Sequence, residues 1–272
     1  MPSIAELWNA YDTVHLRTVL APERPRDIWR QHLGQAFGHL SPAELGPRVI
    51  AEYTAGRDAS QGTIRRELGV LIAALNWCRK RHLLIDAIPY IDRPTVDRAA
   101  KRVLSPREIK RLLAAAHDPL LAFLQLALGT GQRRDAIRLL RWDQIDGDLI
   151  DFEKGRPARG KGRSVVPINR MTREALDRMR VRASGDYVIP GPIPKSTLQS
   201  QWAKACADAR IEGAHIHCIR HTVARTILDA GRSMEEAQRM LGHSSIVTTQ
   251  RHYVEWSRGY LAGAAAALEF GR

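Results

Sequence analysis

Ile64, Leu68, Leu71, Ile72 and Leu75 recur at steps of one, three and four residues, a spacing that gathers apolar side chains onto one face of an α-helix. Arg65, Arg66, Arg79 and Lys80 charge the rest of that helix. An earlier helix around Arg48 to Tyr53 is predicted to pack against it, with the Gly56 to Gly62 stretch as the turn between them. The first ninety or so residues therefore read as a small helical bundle with basic edges. Between Pro89 and Val103 the periodicity fails. Pro89, Pro94 and the charges of Asp92, Arg93, Asp97, Arg98, Lys101 and Arg102 interrupt it, and such a stretch reads as a linker.

The pattern resumes at Ser105-Pro106-Arg107-Glu108, with Ser at the N-cap, Pro at the first helical position and Glu at the third. This is a capping box, in which each of the two polar side chains satisfies an orphan backbone N–H. A helix is predicted from Pro106 to about Ala116, and a strongly apolar one from Pro119 to Leu128, broken by Gly129-Thr130-Gly131. Leu149 to Phe152 and Ser164 to Ile168 read as strands bracketing a Gly-, Pro- and Arg-rich turn, a basic β-hairpin. Helices follow from Met171 onward, with a break around Pro190 to Pro194 and a second capping box at Ser233 to Glu236. The expected fold class is mainly α with a small antiparallel β-sheet. Its expected divisions are a helical domain at 1–92, a linker at 93–104, an α+β domain at 105–256 and a helical tail at 257–272.

Composition then narrows the partners. The 272 residues include 42 Lys and Arg against 29 Asp and Glu, a formal charge of +13. A polyanionic partner is the natural reading, because each phosphate neutralised by a basic side chain releases condensed counterions. Cys78, Cys206 and Cys218 are scattered without CxxC spacing, which indicates neither a disulfide framework nor a zinc ribbon and fits a reducing cytoplasm. The N-terminus lacks the basic-then-apolar design of a signal peptide, and no apolar run approaches the ~20 residues of a membrane helix. No GxxxxGK[ST] loop occurs, and no acidic cluster suits two-metal catalysis.

Arg133, Lys161, His217, Arg220, His243 and Tyr253 are the residues with chemistry to offer, each weak alone. Their surroundings give them meaning together. Thr130-Gly131-Gln132-Arg133, followed by Leu140-Arg141-Trp142-Asp143, resembles the first signature of the tyrosine recombinases, the phage integrase family. His217-Cys218-Ile219-Arg220-His221-Thr222 resembles that family's HxLRHT box. Leu241-Gly242-His243-Ser244-Ser245 and the stretch from Thr248 to Tyr253 resemble its LGHSS and terminal tyrosine boxes. The resemblance is close over most of 103–255 and loose over the N-terminal domain.

The resemblance implies an N-terminal core-binding domain and a catalytic domain acting on double-stranded DNA. It also implies a homotetramer assembled on DNA, with accessory DNA-bending proteins as further partners and no cofactor. In it Tyr253 is the nucleophile, attacking a phosphodiester to give a 3′-phosphotyrosyl intermediate and a free 5′ hydroxyl. Arg133 and Arg220 would stabilise the non-bridging oxygens, since a planar guanidinium donates two hydrogen bonds at once. A phenol of pKa about 10 needs proton removal as it attacks. His217 is the candidate base, His243 a donor to a phosphate oxygen, and Lys161, preferred to Lys154, the general acid at the leaving oxygen.

Two departures from the family pattern stand out. Where the family often has Glu three residues after the first catalytic arginine, this chain has Ala136, with Asp135 one place earlier; either Asp135 supports the site or that contact is absent. Tyr253 lies ten residues after His243, one more than the commonest spacing, with His252 in the usual register. One residue turns a helix by about 100°, so a bulge or loop has to absorb it. Three rivals remain: a metal site on the i, i+4 pair His217 and His221, a non-catalytic DNA-binding scaffold, and a type IB topoisomerase. The tail from Ser257 to Arg272 is expected to pack either on its own domain or on a neighbouring protomer.

Overall fold

The computed structural model describes residues 1–81, 88–96, 101–155, 164–191 and 193–242. Contacts divide the chain into two compact units, Met1–Ala99 and Ala100–Arg272. Lys161, His243, Tyr253 and the tail at 257–272 lie outside the described residues.

The first unit holds α1 (Ile4–Ala10), α2 (Glu23–Ile28), α3 (Gly34–Phe37), α4 (Pro47–Gly56) and α5 (Gln61–Lys80). Ser3 and Glu6 form a capping box at the start of α1. Along α5, Ile64, Leu68, Leu71 and Leu75 are buried among Leu7, Trp8, Leu33, Phe37 and Ile50, while Ile72 is half-buried. Trp8 stacks on Trp29 with ring centroids 4.6 Å apart. Apolar periodicity does not announce Glu67, which shares this face and is 2% exposed. Arg57 clamps its carboxylate from Nη2 (2.7 Å) and Nε (3.1 Å), and the Tyr53 hydroxyl donates to it at 2.7 Å. Burial alone would raise the Glu67 pKa, but the hydrogen bonds from Arg57 and Tyr53 outweigh it and hold the group ionised.

The second unit opens with α6 (Pro106–Ala115), capped reciprocally by Ser105 and Glu108 as its sequence predicts. α7 (Leu120–Thr130) is apolar nearly all round, and α9 (Arg170–Val181) and α11 (Cys218–Asp229) pack against it. It does not break at Gly129. The helix runs through Gly129 and Thr130 and ends at Gly131, whose φ of +65° is the left-handed cap that glycine adopts without steric cost. Gly129 serves packing instead: a Cβ there would lie 2.1 Å from the Thr172 Oγ1 of α9.

After α8 (Arg134–Arg138) comes an antiparallel sheet of three strands, where the sequence pattern predicts a two-stranded hairpin. β1 (Ile145–Asp146) is too short to show a period; β2 (Leu149–Asp151) and β3 (Val165–Pro167) are the predicted pair. Ile150 faces Ile145 on one side and Val166 on the other. Ile150 and Val166 are fully buried while Leu149 and Val165 are exposed, the two-residue alternation of a sheet with one face on the core. α10 (Lys195–Asp208), α11 and α12 (Met234–Leu241) complete the described unit, α12 with its Ser233–Glu236 capping box. No described helix is long and apolar enough to cross a membrane.

Candidate active site

The turn that ends α7 organises the site. Its last carbonyl groups and the start of α8 lie beside the N-terminus of α11 and the C-terminus of α12, and hydrogen bonds join all of them. The Thr130 hydroxyl donates back to the Leu126 carbonyl at 2.6 Å, which keeps the final turn of α7 helical up to the glycine. Gly131 is crowded by design: a Cβ would come within 2.7 Å of Leu241 Cδ2 and 2.9 Å of Val223 Cγ1. Glycine at this position lets the chain reverse while lying against α11 and α12.

Arg220, in the first turn of α11, is 5% exposed. Its Nη1 donates to the Gly131 carbonyl at 2.8 Å, so the guanidinium is anchored to the same turn that presents Arg133. Arg133 is the N-cap residue of α8, exposed, with its Nη1 donating to the Gly242 carbonyl at 3.0 Å. A buried cation and an exposed one are thus fixed to a single turn by backbone carbonyls. A hydrogen bond to a carbonyl holds a guanidinium in place without neutralising its charge.

His217 is the N-cap residue of α11. The residue is exposed to solvent on one side, but the atoms packed around it desolvate it, and this lowers its pKa from the ordinary 6.5; the neighbouring Arg220, His215, Lys101 and Arg133 add to the shift. The imidazole is therefore neutral at physiological pH and able to accept a proton. Two of these neighbours are the candidate phosphate ligands, which puts Arg133, Arg220 and His217 within one electrostatic neighbourhood. Gln132, Arg134, His217 and Arg220 line one narrow cleft, floored by Phe123, Ala127 and Ile219.

His221 is buried one turn further along α11, with its ring edge-on to that of His217 at 5.0 Å between centroids. Thr222, the last residue of the same motif, accepts from the Leu104 N–H at 2.9 Å and donates to the Cys218 carbonyl at 2.8 Å. It ties the chain leading into α6 to the helix that carries Arg220. Among the described residues no three His, Cys, Asp or Glu side chains group as metal ligands would.

Asp135 accepts from Arg138 Nε at 3.1 Å and pairs with Lys195 at 3.2 Å and Arg134 at 3.7 Å. Arg133 is not among these partners, so the contact that Asp135 shows serves α8 and α10 rather than the first arginine. Lys154 is also engaged: its ammonium donates to the Asp143 carbonyl at 2.6 Å, at the edge of the sheet. Sequence reasoning assigned no role to Gln132 or Ser164. The Gln132 Nε2 donates to the Ser164 Oγ at 2.8 Å and to the Met240 carbonyl at 2.7 Å. A polar residue placed between a catalytic-type Arg and a helix-ending Gly is the only signal the sequence offers for it.

The chain is similar to known proteins in sequence and in fold. Tyrosine recombinase XerC of Xylella fastidiosa is 26% identical over 251 residues, covering 82% of this chain and 83% of that protein. Two solved structures share the fold. A lambda integrase dimer bound to a COC′ core site superposes with a TM-score of 0.76 at 16% identity, over 94% of this chain and 78% of that one. A lambda integrase tetramer bound to a Holliday junction gives 0.72 at 15% identity, over 92% and 77%. The family model described as the phage integrase family matches residues 102–258, more than half of the chain, and so contains the arginine turn, α11 and α12 together. This chain belongs to the phage integrase family, the site-specific tyrosine recombinases.

Proposed function

We propose that the chain cuts and rejoins duplex DNA at specific sites through a covalent 3′-phosphotyrosyl intermediate, without nucleotide or metal cofactor. The observation that carries this reading is the turn at Gly131 to Arg133, which holds one buried and one exposed guanidinium beside a neutral imidazole. In this reading the Tyr253 oxygen attacks the scissile phosphorus and the bond from phosphorus to the 5′ oxygen breaks. His217 takes the phenolic proton, and Lys161 gives a proton to the departing 5′ oxygen. Arg133, Arg220 and His243 hold the non-bridging oxygens while negative charge concentrates there. The energy of the broken ester stays in the phosphotyrosine, so rejoining needs only a 5′ hydroxyl. Lys161 rather than Lys154 is the acid in this reading.

Residues 1–92 act as the core-binding, DNA-binding domain and 105–256 as the catalytic domain. Exchange between two duplexes requires several such sites at once, and the lambda integrase tetramer on a Holliday junction supports a homotetramer on DNA here. Accessory DNA-bending proteins belong to the same proposal, as does action in the cytoplasm, which the free, buried state of all three cysteines supports.

The test is covalent capture. Purified protein is incubated with a randomised duplex library in EDTA, complexes resistant to detergent are recovered, and the attached strand is sequenced. The expected product carries protein on a 3′ end and leaves a 5′ hydroxyl that a polynucleotide kinase labels without prior dephosphorylation. Adducts on 5′ ends, or a strict need for divalent metal, would overturn the reading.

A further inference from the structure

Gln132 is 5% exposed, and both hydrogens of its carboxamide are used: one on the Ser164 Oγ next to β3, the other on the Met240 carbonyl at the end of α12. Its own backbone N–H reaches the Thr130 Oγ1 at 3.4 Å. On one side of it, the Gly131 carbonyl receives Arg220; on the other, Arg133 reaches the Gly242 carbonyl. The surroundings leave little slack. A Cβ on Gly242 would lie 2.8 Å from the Ser164 Oγ, so Ser164, Gly242 and Gln132 are in close packing at one point.

We infer that Gln132 is a positioning residue for the phosphate-binding arginines: its carboxamide locks the Gly131–Arg133 turn in register with β3 and α12. The physical basis is the two-sided anchoring. Arg133 is an exposed, flexible side chain, and its hydrogen bond to Gly242 holds only if the C-terminus of α12 stays level with the turn. The bond from Gln132 to Met240, two residues before Gly242, sets that level. Arg220 depends on the same turn through the Gly131 carbonyl. A buried amide that satisfies two acceptors on different elements fixes geometry in a way that an apolar residue of similar size cannot.

This inference rests on Arg133 and Arg220 acting on the scissile phosphate, and the experiment separates the two claims. Gln132→Leu fills the space without donors, and Ser164→Ala removes one acceptor only. Adduct formation is timed under saturating DNA on two substrates. One has a normal scissile phosphate; in the other a methyl group replaces one non-bridging oxygen, leaving no charge for the arginines to neutralise. DNA affinity and the thermal midpoint are measured alongside. Gln132→Leu is expected to slow adduct formation about a hundredfold on the normal phosphate, the order expected when a reacting group is displaced by about 1 Å. Its affinity should stay within a fewfold of wild type, and its deficit should shrink on the methylated substrate as that of Arg133→Ala does. Ser164→Ala should show a smaller loss of the same kind, and it decides the matter if Gln132→Leu does not fold. Equal slowing on both substrates, with Arg133→Ala relieved, would overturn the positioning role. Failure of the methyl group to relieve Arg133→Ala would overturn the arginine assignment, and the inference with it.

Discussion

His217 is useful as a base only while uncharged, and the packing around its ring together with the nearby cations keeps it so. The acid limb of adduct formation should therefore fall below pH 6.5, the ordinary imidazole value, and a stopped-time pH profile checks it; a limb above 6.5 would argue against His217 as the base. The same shift acts on stability. The unfolded chain protonates this group first as pH falls, so its contribution is complete above about 6.5 and declines below. Arg220→Lys keeps the charge but loses the planar fork and the donor to Gly131, and single-turnover cleavage should slow by about 10²- to 10³-fold. At this scale the flanking motifs singled out Arg133, His217 and Arg220, each weak alone, and the structure brings the three to one turn. The sequence was silent on Gln132 and Glu67, whose importance lies in burial that no local pattern encodes.

Elements were legible where one signal sufficed. The Ser105–Glu108 and Ser233–Glu236 boxes start helices where their spacing says they should, since capping is settled within four residues. Arg102 first, then the Ser105 backbone, lower the Glu108 pKa to about 2. The stability this carboxylate adds is full above its unfolded value of 4.5 and is lost as pH falls toward 2. Ser105→Ala should cost about 1 kcal/mol at neutral pH by chemical denaturation. Illegible elements were those decided by distant contacts. α7 passes Gly129 because α9 packs on it, and β1 exists because β2 pairs with it. Gly131→Ala combines a left-handed φ with contacts under 3 Å to α11 and α12. It should destabilise the unit by about 1–2 kcal/mol from the backbone conformation alone, and should slow cleavage beyond what lost stability explains.

At the scale of the whole molecule the dominant quantity is charge. A chain carrying +13 should bind DNA with an affinity that falls linearly on a logarithmic salt axis. The slope is about −0.9 per phosphate contact, so six to ten contacts lose about 10³- to 10⁵-fold between 50 and 200 mM salt. A nearly flat dependence would contradict a backbone-tracking grip. A division into two units with separate cores could be anticipated from the loss of periodicity after Pro89. The proposed nucleophile is different in kind: Tyr253 stands in a stretch that resembles the family's terminal tyrosine box, one residue further from His243 than the commonest spacing. The most direct measurement is a nicked duplex built on the captured site, on which cleavage traps the protein. Wild type is predicted to form a covalent adduct whose DNA-linked peptide contains Tyr253, and Tyr253→Phe to form none. An adduct that persists in Tyr253→Phe, or maps to Tyr260, would contradict the account.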